Sequence, residues 1–105
     1  MTNLRELNKL ENYLRDNQIP YERIDQDTVL NAYEMPNMLE RHQIYVPSRS
    51  VHEWDAICHW GSYGYEEGLL EIYGILVDSY KDGDSVVGWL TASDVIERIE
   101  RKKDA

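Results

Sequence analysis

Leu4, Leu7, Leu10 and Leu14 recur at three- and four-residue spacing near the start of the chain, with Tyr13 beside them. That spacing predicts a helix over residues 2–17 with a single apolar stripe, Arg5, Glu6, Lys9, Glu11 and Asp16 lying mostly around its polar side. Thr2 or Asn3 is placed to cap the start. Pro20 bars continuation and pushes Ile19 towards an extended conformation. Such a helix must bury its stripe on another element, and most of the remaining chain reads as strand, so its partner is a sheet.

The strands show themselves by period-two patterning. Tyr21 to Ile24 reads as a short strand, and His42 to Val46 alternates with Ile44 and Val46 on one face, Gln43 and Tyr45 on the other, ending at Pro47. Glu53 to Trp60 puts Trp54, Ala56, Cys58 and Trp60 on one side and Asp55, Ile57 and His59 on the other, the pattern of a sheet with one packed and one more polar face. Leu69 to Val77 fits a buried helix or a strand. Gly68, Gly74 and the β-formers at 72, 73, 75 and 77 favour strand. Residues 25–39 carry no regular pattern, and Met35, Met38 and Leu39 are expected to cover the core around Pro36 as an irregular segment or one helical turn. Lys81-Asp-Gly-Asp84 is a turn signal leading into a strand over 85–90. Thr91 and Asp94 then open a last helix whose stripe is Val95, Ile96 and Ile99, with Arg98, Arg101, Lys102 and Lys103 placing positive charge near its end. The expected architecture is one α+β domain over 1–105. An antiparallel sheet of about four to five strands carries an N-terminal and a C-terminal helix on one face.

Charge narrows the classes of function. The 105 residues hold 20 acidic and 11 basic side chains, a net charge of −9 with His neutral. Attraction to a phosphate backbone needs the opposite sign, so direct nucleic-acid binding is disfavoured. Acidity serves solubility in its plainer reading; in its sharper one it occupies a basic partner surface. Cys58 is the sole cysteine and has no internal disulfide partner, which argues for a reducing compartment. The charged start lacks the apolar core of a signal peptide. No uninterrupted apolar run approaches the roughly 20 residues that span a bilayer. These features read as a cytoplasmic protein that does not engage membranes.

Catalytic and metal-binding signals are weak. His42, His52 and His59 fall into no metal-ligand spacing, and a single Cys cannot build a structural zinc site. Cys58 and His59 point to opposite faces of their strand, which separates thiol from imidazole; a buried thiol beside a surface imidazole is the expectation. The pairs Glu66/Glu67 and Asp82/Asp84 lie in turns, where acids favour solvent. Asp82-Gly-Asp84 is too short for an EF-hand loop, and Gly61-Ser-Tyr-Gly64 lacks the Lys of a phosphate loop. No cofactor and no metal are expected.

Aromatic density between 60 and 73 carries more information. Trp60 and Tyr73 are expected at the core edge. For Tyr63 and Tyr65 a packed position and an exposed, interface-type position stand side by side. Tyr63, Tyr65, Glu66, Glu67, Asp82 and Asp84 are therefore the candidate partner-binding residues.

The segment Trp54-Asp-Ala-Ile-Cys-His-Trp-Gly-Ser-Tyr-Gly-Tyr-Glu-Glu-Gly-Leu-Leu-Glu-Ile-Tyr-Gly74 and the segment Val87-Gly-Trp-Leu-Thr-Ala-Ser-Asp-Val95 resemble small proteins encoded in phages and prophages of Gram-positive bacteria. Leu10-Glu-Asn-Tyr-Leu14 and Ile19-Pro-Tyr-Glu-Arg23 are similar in character. No catalytic residue comes with the resemblance. It implies an accessory phage protein that binds and modulates or inhibits a host protein, such as a nucleic-acid-binding or defence factor, in the bacterial cytoplasm. Two other readings stay open. One is a homo-oligomer holding a nucleotide-like ligand near Gly61–Gly68; the other is a small phage enzyme using His59 or Glu66/Glu67.

Overall fold

The structure is a computed structural model describing residues 3–26 and 40–104. Helix α1 (Arg5–Asp16) leads into β1 (Glu22–Gln26), β2 (Arg41–Pro47), β3 (His52–Ile57) and β4 (Leu70–Gly74), the last preceded by a 3-10 turn over Tyr65–Glu67. A short α2 (Ser79–Asp82), β5 (Val86–Leu90) and α3 (Ala92–Lys103) complete the chain. All strand pairs are antiparallel and the sheet order is β1-β2-β3-β4-β5. This is the expected α+β architecture. The expected covering role of Met35, Met38 and Leu39 lies outside the described residues.

Sheet register explains the core. Ile44 pairs with Ala56, Ala56 with Ile72 and Ile72 with Val87, which sets one apolar row across four strands. Leu7, Leu10 and Leu14 of α1 and Val95 and Ile99 of α3 pack into the same cluster as that row, so both helices cover one face. The three leucines are fully buried, and each such burial contributes about 1.5–3 kcal/mol. Arg23, opposite Ile44 in the register, faces α1 and donates from Nη1 to Asn8 at 2.7 Å and to Glu11 at 3.0 Å.

Helix ends obey local chemistry. The Asn3 side chain accepts the Arg5 amide at 3.0 Å. Gln18 takes a left-handed conformation and the Ile19 amide donates to Leu14 at 2.9 Å, so α1 is closed before Pro20 is reached. Thr91 and Asp94 form a capping box at the start of α3.

Three expectations need correction. Glu6 does not lie on the polar side of α1. It is buried, and its carboxylate accepts the Ala92 amide at 2.8 Å. On β2 Ile44 and Val46 join the core as expected, and the other face is buried too, Gln43 donating to Asp55 at 2.9 Å and the Tyr45 ring meeting His52 edge-on. β3 ends at Ile57, and the chain bends away before Trp60, leaving that ring exposed. The turn expected at Lys81–Asp84 begins earlier as helix α2, with Asp78 accepting the amides of Tyr80 and Lys81. Gly74 ends β4 with a positive φ of 110°, where a Cβ would sit 2.4 Å from the Glu53 carbonyl, so no other residue fits there.

Candidate interaction surface

The site begins with a miscount between two strands. Leu70 pairs with Leu90 and Ile72 with Val87, so β5 carries one residue more than β4 over that interval. The extra residue forms a β-bulge at Gly88–Trp89, opposite Glu71. Within it Trp89 has a φ of 61°, a left-handed conformation that a bulky residue adopts only when its surroundings impose it.

Those surroundings are the Gly61–Gly68 loop. The Trp89 amide donates to the Tyr63 carbonyl at 3.2 Å, and the Tyr63 amide donates to Glu71 Oε1 at 3.0 Å. The Tyr63 backbone thus bridges both sides of the bulge. Gly88 admits it: a Cβ at 88 would lie 2.2 Å from the Tyr63 Cβ. The loop is stiffened by Ser62, whose hydroxyl donates to the His59 carbonyl at 2.7 Å and accepts the His59 amide at 3.1 Å. Gly64 and Gly68, both left-handed, bracket the Tyr65–Glu67 turn.

As a result Tyr63 and Trp89 project from a rigid backbone while exposing 54% and 59% of their surface. They border a shallow depression of 220 Å³ lined by Gly61 to Glu66 and Trp89. Glu66 and Glu67 are exposed on the adjoining turn, and Glu71 is half-buried at its base. Exposed aromatic rings carried on a hydrogen-bonded backbone beside carboxylates make an anchor-and-rim surface of the kind protein interfaces use.

The structure brings together only part of the sequence-derived set. Tyr63, Tyr65 and Glu66 line the depression, Tyr65 half-buried and packed against the core as well, while Glu67 is exposed on the same turn. Asp82 turns onto Arg98, with two hydrogen bonds of 2.9 and 3.0 Å. Asp84 is exposed but binds the Ser85 amide at 2.6 Å, at the end of the β4–β5 hairpin remote from Trp89. Tyr73, expected at the core edge, is half exposed. Trp89 was not among the residues singled out from the sequence. The signal for it was Gly88 inside an otherwise apolar strand, which marks a bulge or a close backbone approach.

Titratable groups also gather at the far end of the sheet. His42 is buried between two carboxylates, Asp25 at 2.6 Å from Nδ1 and Glu40 at 2.7 Å from Nε2. Burial raises the Asp25 carboxyl, but hydrogen bonds from His42 and Arg23 outweigh it and hold the group below its usual range. His59 is half-buried rather than at the surface; desolvation and the neighbouring Arg41 lower its pKa, and its Nδ1 finds no partner among the described residues. Burial, aided by Glu40, pushes the Cys58 thiol up to about 11, the opposite of what a nucleophile needs. Among the described residues no group of three or more His, Cys, Asp or Glu is arranged to hold a metal ion. Likewise, no described helix is long and apolar enough to cross a membrane.

Comparison of the chain with family models, with curated proteins and with solved structures finds no match, so the functional argument rests on the surface itself.

Proposed function

We propose that this chain is a non-enzymatic accessory protein of phage or prophage origin, acting in the bacterial cytoplasm by binding and inhibiting or redirecting a host protein. The observation that carries the reading is Trp89, held left-handed by the Tyr63 carbonyl, its exposed ring lining one depression with Glu66 while Glu67 is exposed on the same turn. Backbone strain imposed by surrounding structure clusters at binding sites, and here it presents an exposed aromatic. The flanking carboxylates suit a basic partner, because they can occupy Arg and Lys side chains that otherwise bind phosphate. At 220 Å³ the depression falls below the roughly 300–1,000 Å³ of small-molecule sites, which favours a protein partner over a nucleotide-like ligand at Gly61–Gly68.

The test is affinity capture from host lysate with the wild-type chain and with a Glu66→Lys/Glu67→Lys double variant, read by quantitative mass spectrometry. A basic nucleic-acid-binding or defence protein should be held by the wild type, released at high salt, and lost by roughly tenfold or more from the variant. A partner retained equally by both chains would remove the acidic surface from the mechanism.

A further inference from the structure

A larger cleft lies elsewhere, between α2 and the second half of α3, and shares no residue with the Tyr63–Trp89 surface. It measures 420 Å³ and is lined by Ile75, Leu76, Asp78, Lys81, Asp82, Arg98, Arg101 and Lys102. Four cations against two carboxylates make its wall net positive, in a chain whose overall charge is −9. We propose that this cleft is a binding site for a small phosphate-bearing anion.

Three features support it. First, the carboxylates are engaged within the protein. Asp82 takes both hydrogen bonds of the Arg98 fork, and Asp78 Oδ1 accepts the Tyr80 and Lys81 amides at 3.1 and 3.2 Å. Second, Arg98 is held in place by those bonds and by a third to the Leu76 carbonyl at 3.0 Å. A guanidinium has five N–H donors, so a fixed Arg98 keeps capacity for a ligand. Third, Lys81 and Lys102 are exposed and have no carboxylate partner among the described residues, and Arg101 holds Glu97 only loosely at 3.9 Å. Cations in the last turns of a helix are usually explained by the helix dipole. That account covers Arg101 and Lys102 on α3 and Lys81 in the last turn of α2, but it does not require the two helix ends to meet, and here all three cations line one cleft. The volume is within the range of ligand sites, and Ile75 and Leu76 supply an apolar wall for the non-phosphate part of the molecule.

The experiment is a titration of the isotope-labelled full chain with sodium pyrophosphate at constant ionic strength, followed by amide shifts. Saturable shifts at Lys81, Asp82, Arg98, Arg101 and Lys102 are expected. Lys81→Glu and Lys102→Glu should each weaken binding by roughly tenfold, the loss of one charge-assisted contact. Arg49→Glu and the Glu66→Lys/Glu67→Lys variant should leave binding unchanged, which separates this site from the partner surface. Non-saturating shifts spread over Arg5, Arg49 and the other surface cations would overturn the proposal. So would binding of a short oligonucleotide at these residues without binding of pyrophosphate.

Discussion

Glu6 Oε1 accepts the Ala92 amide at 2.8 Å, so a carboxylate of the first helix caps the N-terminus of the last across 86 residues of chain. The N-terminal amides of a helix have no partner within it, and the dipole there favours negative charge. Arg5 and Lys9 stand 3.7 and 3.6 Å from the other Glu6 oxygen and offset its burial. Replacing Glu6 by Ala strands the Ala92 amide and should cost about 1–3 kcal/mol in denaturant unfolding. Glu6→Gln retains an acceptor oxygen and should lose less. Equal losses from the two variants would show that charge, not the hydrogen bond, is what matters.

Acid stability should depend on Asp82. Its hydrogen bonds from Arg98 hold the carboxyl below the ordinary 3.8, with burial acting in the opposite direction. A depressed folded-state pKa contributes stability that is fully present above the unfolded value and is lost as pH falls through the folded one. Melting temperatures taken from about pH 6 to about pH 2 should therefore fall less steeply for Asp82→Asn than for the wild type. Asp55 has the opposite sign: burial raises its pKa against the Gln43 hydrogen bond and the His52 charge, so it opposes folding as pH rises past 3.8. Parallel acid limbs for wild type and Asp82→Asn would mean that the Arg98 pair adds no pH-dependent stability.

Trp89→Gly separates folding from binding. The left-handed position suits glycine, and relieving it should raise stability by roughly 1 kcal/mol. The same change removes the exposed ring and should abolish partner capture. A variant that melts lower than the wild type would show that the indole packs more strongly than its 59% exposure suggests.

Cys58 should be silent to thiol reagents. It is fully buried, its Sγ lies 3.6 Å from the Asn3 carbonyl, and its pKa is pushed up to about 11. Near pH 8 only roughly one thiol in a thousand would be ionised. Reaction with a disulfide reagent should be absent in the native protein and complete after unfolding. Rapid native labelling would show that the cover contributed by α1 opens readily.

Much of the fold is legible in the sequence because its signals are local. The leucine spacing of α1, the alternation of Ile44, Val46, Trp54, Ala56 and Cys58, and the Thr91–Asp94 box each depend on residues a few positions apart. The candidate site is legible only in part. Tyr63, Tyr65 and Glu66 stand out by composition and line one depression, with Glu67 exposed on the same turn. Asp82 looks equally solvated in the sequence, yet Arg98 claims it from 16 residues away. Trp89 reads as an ordinary strand residue until the bulge is seen.

Local patterning therefore settles the two long helices, most of the strands and the apolar face of each, because periodicity and capping act over one or two turns of chain. Only packing could settle that Glu6 is buried against α3, that Asp82 pairs with Arg98, and that Trp89 is turned outward over Tyr63. Each of these depends on how two packed elements meet. An amide left open at a helix end, a guanidinium beside a turn and one extra residue in a strand acquire consequences only when a distant segment is brought against them.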